Sequence, residues 1–344
     1  VEFEGEFAAM FSNISQARIA DIQCRALIVP MKRELKTSGG AVTQAPLLLI
    51  DLQTSEGVVG RSYLFGVMPF TLKPLRDLVL SLAEMIQGDP VSPSGVEQKI
   101  RKRTTLLGPY YLLGMALAGI DMACWDAVAL AAKIPLITLL GGSPKPIPAY
   151  NSNGLGIMSP AEAADEAIQL VEEGFRAIKI RVGRETAQDD LAAVRAVRKA
   201  IPDDVVLMSD FNQALSVNEA IQRGRLLDDE GLYWIEEPVR ADDFEGCARV
   251  TAAVKTPIQI GENFYSSHQM QTALSVHASD LVMPDVQRIG GISGWLRASA
   301  LAAASDVEIS SHLFPEVSAS LLAVAPTSHW LEYVDWANPI LQDP

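Results

Sequence analysis

Three carboxylates recur at a fixed interval in the second half of the chain. Asp210, Glu236 and Glu262 stand 26 residues apart, each at the end of a short apolar run: VVLMSDFN, YWIEEP and PIQIGEN. A strand, a helix and their loops occupy about that length, so the three acids fall at the same height of a repeating array. Carboxylates that converge repel one another unless a cation lies between them. Hard oxygen donors suit Mg2+, which keeps positions open for water or substrate oxygens. A single acid after a strand reads as a solvated loop residue; three in register predict a metal site.

The series continues. Asp285, His312 and Glu332 follow at intervals of 23, 27 and 20 residues. A carboxylate beside an imidazole fixes its tautomer and raises its basicity, so Asp285 and His312 read as a general-base pair. For Glu332 the spacing leaves three roles open: metal ligand, ion-pair partner or proton donor. Lys179 and Arg181, in AIKIRV, alternate along one strand and so point the same way. Charge turned into a barrel needs an anion, either a substrate carboxylate or the neighbouring acids. His268, His277 and His329 fall in helical or pre-strand positions and read as structural. Gly290-Gly291 reads as a turn ahead of a helix.

The elements that must position these residues follow from the pattern. From about residue 147, eight short strand candidates (IPAYNSN, AIKIRV, VVLMSDFN, YWIEEP, PIQIGEN, DLVMPDV, EISSH and HWLEY) alternate with amphipathic, alanine-rich segments. Eight such units predict an α/β fold, a (β/α)8-type barrel with its chemistry at the C-terminal ends of the strands. Ahead of it, ALIVP and APLLLIDLQT read as strands, residues 70–140 as mainly helical, and Lys32–Gln44 as a mobile loop. The chain of 344 residues thus divides into an N-terminal α+β capping domain, 1–140, and a barrel domain, 141–344.

Composition narrows the partners. A net charge of −14 with no basic block argues against nucleic acid and anionic membranes. The most apolar stretch, Leu112–Leu140, carries Asp121, Asp126 and Lys133 and reads as a buried helix. Cys24, Cys124 and Cys247 are scattered and odd in number, which favours a reducing, cytoplasmic setting.

At these residues the sequence resembles the enolase superfamily, and within it the mandelate racemase subgroup. The resemblance runs from APLLLIDLQTSEGVVGRSYLF through GIDMACWDA, FRAIKIRVG, DFNQ, WIEEP, IGEN, MPDVQRIGGISGW and SSHLFPE to HWLEY. It implies Mg2+ on Asp210, Glu236 and Glu262, and His312 with Asp285 as a base. Lys179 would contact a substrate carboxylate, with Glu332 donating to the developing enediolate. Asn212 would lie near a 2-hydroxyl, and a cap carrying Leu35, Val42, Phe65 and Val67 would close over the substrate with Leu313 and Val334. The resemblance also implies a homo-oligomer.

Two departures stand out. The family places a second lysine where this chain has Arg181, and arginine is a poor general base. Relatives also carry a tail past the eighth strand that returns to the cap, whereas this chain stops twelve residues after Glu332. The apolar cap favours a 2-hydroxy carboxylate with an apolar substituent over a polyhydroxylated acid, whose hydroxyls would go unpaired. The expected activity is a racemase or epimerase. The alternatives are an acid-sugar dehydratase using His312 alone and a barrel that binds metal and carboxylate without turnover.

Overall fold

The computed structural model describes residues 17–108 and 110–342. Strands β1 (Ile19–Thr37), β2 (Gly40–Thr54) and β3 (Val59–Phe65) form an antiparallel sheet in that order. The expected loop over Lys32–Gln44 is instead the far end of the β1–β2 hairpin, paired Leu35 to Val42 and Thr37 to Gly40 around a two-residue turn at Ser38-Gly39. Its polar residues had read as a loop, but Lys/Glu alternation is also the pattern of an exposed strand, and Gly40 supplies the φ of +125° that the turn needs.

Leu48, Ile50 and Leu52, alternating on β2, are fully buried. Helix Leu72–Ile86 presents Leu72, Leu75, Val79, Leu82 and Ile86 at helical spacing. The apolar stretch forms helix Tyr111–Ala132, which is long and apolar enough to cross a membrane but mostly buried inside the protein.

The barrel strands are β4 (Ala149–Asn151), β5 (Ala177–Arg181), β6 (Val206–Asp210), β7 (Leu232–Glu236), β8 (Ile258–Ile260), β9 (Leu281–Val282) and β10 (Leu331–Tyr333). They make a parallel sheet in the order β10-β4-β5-β6-β7-β8-β9. Seven of the eight expected strands are therefore regular. The remaining one, 308–312, seventh in chain order, closes the ring through isolated bridges, Val282 to Ile309, Asp285 to His312 and Ile309 to Ser328.

Helix starts are written locally. Ser159/Glu162, Thr186/Asp189 and Ser216/Glu219 each form a reciprocal capping box at the helix that follows β4, β5 and β6. Those caps end each βα loop at a fixed point and hold the strand ends in register. Below the strand ends, Tyr150, Ala177, Met208, Trp234 and Leu281 fill the barrel interior.

Candidate active site

The strand ends bring most of the sequence candidates to one cavity of about 230 Å³ at the barrel mouth. Lys179, Arg181, Asp210, Asn212, Glu262, His312 and Glu332 line it from the barrel, and Leu35, Val42, Phe65, Val67 and Leu313 line its other wall. Glu236 and Asp285 lie just beneath, fully buried.

His312 donates or accepts at both nitrogens. Its Nδ1 lies 2.7 Å from Asp285 Oδ2, and its Nε2 lies 3.2 Å from Glu262 and 3.8 Å from Glu332. Asp285 is itself held by the Gln287 amide at 2.7 Å and the Arg288 amide at 3.2 Å. Burial pulls the imidazole pKa down, but Glu262, Glu332 and Asp285 outweigh it and hold the pKa well above the ordinary value.

Lys179 sits under the opposite arc. Its Nζ lies 2.6 Å from Glu236, 2.7 Å from Glu332 and 3.5 Å from Asp210. Burial opposes its charge, yet the three carboxylates raise its pKa. For Glu236 burial dominates and pushes the carboxyl well above the usual range, with Lys179 opposing. Trp234 Nε1 donates to Glu236 at 3.1 Å.

Glu332, which the resemblance implies as a proton donor, sits among hydrogen-bond donors. Lys179 and Ser152 Oγ donate to its Oε1, both at 2.7 Å, and the Leu313 amide donates to its Oε2 at 2.9 Å. Burial raises its pKa, but Lys179 and His312 win and hold it down at about 2. In this arrangement Glu332 accepts all three of these hydrogen bonds.

Arg181 is committed to the backbone. Nη1 donates to the carbonyls of Ser152 (2.8 Å) and Gly154 (3.1 Å), Nη2 donates to Ser152 Oγ (2.8 Å), and buried Nε has no partner. It is a fixed cation that lines the cavity. The hairpin charges Lys32 and Arg33 do not line it: Lys32 pairs with Asp335 at 3.0 Å and Arg33 with Glu173 at 2.9 Å.

The metal candidates meet a mixed test. Asp210 and Glu236 are paired in register on adjacent strands. Among the described residues, no three acid, histidine or cysteine side chains already converge as a ligand cage. Lys179 and His312 draw the oxygens aside. The donor set nonetheless suits a hard divalent cation: buried Asp210 and Glu236 and half-buried Glu262, at the ends of successive strands, one of them with a strongly raised pKa, form a site short of positive charge. Asn212 is oriented there too, donating from its backbone and from Nδ2 to Asp210 at 2.8 and 3.0 Å.

Several lining residues escaped the sequence reading. Arg288 bonds Asn263 and the Glu262 carbonyl; scanning three residues beyond Asp285 would have found it. Ser152, in the polar NSN that ends the first barrel strand, carries the link from Arg181 to Glu332. Trp336 also faces the cavity, and nothing local in its sequence marks it; Thr37 and Gly39 face it from within the Leu35–Val42 segment expected to close over the substrate.

Comparison with known proteins gives a consistent picture. Residues 21–141 match the mandelate racemase/muconate lactonizing enzyme N-terminal domain, and residues 162–344 match the enolase C-terminal domain-like family. An L-talarate/galactarate dehydratase of Salmonella typhimurium is 37% identical over 88% of this chain and 76% of its own length. An L-Ala-D/L-Glu epimerase of Bacillus subtilis is 29% identical over 85% of this chain and 79% of its own. Among solved structures, an enolase from Bradyrhizobium complexed with magnesium and mandelic acid is 40% identical, with a TM-score of 0.92 over 96% of this chain and 91% of its own. An enolase from an alpha proteobacterium, bal199, with bound magnesium is 44% identical, with a TM-score of 0.93 over 95% of this chain and 92% of its own. The superfamily's members are enzymes, and the relatives include both dehydratases and epimerases.

Proposed function

This chain belongs to the mandelate racemase and muconate lactonizing enzyme family of the enolase superfamily, and on that footing we propose that it abstracts the α-proton of a 2-hydroxy carboxylate bearing an apolar substituent, with His312 as the base. The observation that carries the reading is the His312–Asp285 contact of 2.7 Å at the wall of a cavity otherwise rich in acids and one buried lysine. In this reading residues 1–140 cap a barrel formed by residues 141–344.

Asp210, Glu236 and Glu262 would hold Mg2+, whose chemistry is to stabilise negative charge on a bound carboxylate. A relative with magnesium and mandelic acid supports this. The chain's own residues do the rest. Lys179 gives a second positive charge to the substrate carboxylate as its dianion develops. Asp285 holds the His312 tautomer so that Nε2 faces the substrate. Arg181, through Ser152, holds Glu332 as an acceptor for the substrate's donor groups. Leu35, Val42, Phe65, Val67 and Leu313 exclude water and receive an apolar group.

The locked Arg181 favours one-base chemistry: return of a proton to the same face, or loss of a 3-hydroxyl where the substrate has one. A racemase-like outcome is the second reading, favoured by the buried Arg181 Nε–H, which has no hydrogen-bond partner. Incubation of mandelate and of 2,3-dihydroxy acids in D2O with Mg2+, followed by NMR, separates the two. Exchange with retention, or a 2-keto product, supports the first; exchange with inversion supports the second; no exchange in any substrate removes both.

A further inference from the structure

Gln287 is buried, two residues past Asp285, in a loop to which the chemistry above assigns nothing. Its side chain reaches across the interface between cap and barrel to Phe65, 222 residues away. Its Oε1 accepts from the Phe65 N–H at 2.9 Å, and its Nε2 donates to the Phe65 carbonyl at 3.2 Å. Phe65 is the last residue of β3, which lies at the edge of its sheet. Only a primary amide offers a donor and an acceptor at the spacing of a neighbouring strand's backbone, so Gln287 acts there as one residue of a missing strand.

What it fixes is one wall of the cavity. Phe65 lines the site, packs against Trp336 with ring centroids 5.1 Å apart, and precedes Val67, a lining residue held at a φ of +64°. The Gln287 backbone N–H meanwhile donates to Asp285 Oδ1, and Asp285 Oδ2 meets His312. One residue therefore ties the apolar wall by its side chain and the base pair by its backbone. We infer that Gln287 is a positioning residue that sets the distance between the Phe65–Val67 wall and His312, and so determines which α-substituent the site accepts. The inference rests on the proposed proton abstraction for its catalytic consequence, but not for its geometry.

Side-chain replacement separates the two ties, because any residue keeps the backbone bond to Asp285. Gln287→Met keeps the bulk and removes both bonds to Phe65. Gln287→Asn keeps the amide one methylene short and covers the case in which the methionine variant does not fold. The experiment measures hydrogen–deuterium exchange of the Phe65 peptide and kcat/KM for proton exchange with mandelate and with lactate. Expected are faster exchange at Phe65 in both variants and a loss of the mandelate-over-lactate preference by about 10- to 100-fold, the cost of an apolar group misplaced by about 1 Å. Unchanged protection at Phe65, or an equal fall for both acids, overturns the inference, since a purely structural role lowers both together. If the wild-type chain exchanges neither acid, the functional reading fails, and protection at Phe65 alone decides whether Gln287 anchors the wall.

Discussion

Arg181 donates to both the carbonyl and the hydroxyl of Ser152, each at 2.8 Å, and Ser152 in turn donates to Glu332 at 2.7 Å. The residue that stands in place of a second catalytic lysine is thus built into the wall as a charged strut. Breaking it has two consequences that can be read separately. Arg181→Met removes three hydrogen bonds from a charged donor and leaves two carbonyls without it, so stability should fall by about 3 kcal/mol in urea unfolding. Because Ser152 loses its orientation, kcat/KM should fall as well. Retention of both stability and rate would show that the strut is dispensable.

His312→Asn removes the base while keeping a polar side chain of similar reach. The α-exchange rate should drop by about 10²- to 10⁴-fold, the usual worth of a positioned base, with the melting temperature little changed. Asp285→Asn should lower the rate too, because the amide cannot stabilise an imidazolium. An equal rate in the His312 variant would mean that another group takes the proton.

How far the site was legible follows from what sequence can carry. Asp210, Glu236, Glu262, Asp285, His312 and Glu332 were legible because the βα repeat puts every strand end at one level. Arg288 and Trp336 were not, since they reach the cavity from loops whose paths depend on tertiary packing; nor was Ser152, buried behind it between Arg181 and Glu332. Backbone strain was equally hidden. Asn212, Glu237, Leu313 and Phe314 all take positive φ just past strand ends, a conformation rare for non-glycine residues and concentrated at functional sites. The irregular seventh strand belongs here too: 308–312 had the spacing of a strand but supplies only isolated bridges around His312. Glu332 shows a further limit, since its position was evident but its hydrogen-bond partners Lys179, Ser152 and the Leu313 amide were not, because no spacing relates them.

Metal binding should register in stability as well as activity. A cation held by Asp210, Glu236 and Glu262 binds only the folded chain, so Mg2+ at 100 times its Kd should stabilise by about 2.7 kcal/mol. Chelation should remove the shift, and Glu236→Gln should weaken it. A melting temperature indifferent to Mg2+ in the wild-type chain would count against the three-carboxylate site.

A buried acid away from the cavity supplies a pH test of the cap–barrel joint. Asp121, on helix Tyr111–Ala132, accepts from the Ser293 amide at 3.0 Å and hydroxyl at 2.6 Å, at the start of helix Gly291–Ala304. Burial raises its pKa from 3.8 to about 7, with Ser293 opposing. In the folded chain it therefore keeps its proton where the unfolded chain has lost it. Stability from this group is fully present below pH 3.8 and is lost as pH rises towards 7, by at most about 4 kcal/mol. Asp121→Asn should remove that slope, so its advantage over wild type grows from pH 4 to 7 and then levels off. Parallel pH profiles of the two proteins would show that Asp121 titrates normally.

The central claim is that His312 takes an α-proton from a 2-hydroxy carboxylate. Its most direct test is NMR of each mandelate enantiomer incubated with the enzyme and Mg2+ in D2O. The account expects deuterium at the α-carbon of one enantiomer, with configuration retained and the signal lost in His312→Asn. Absence of exchange in both enantiomers, or exchange that persists without His312, would contradict it.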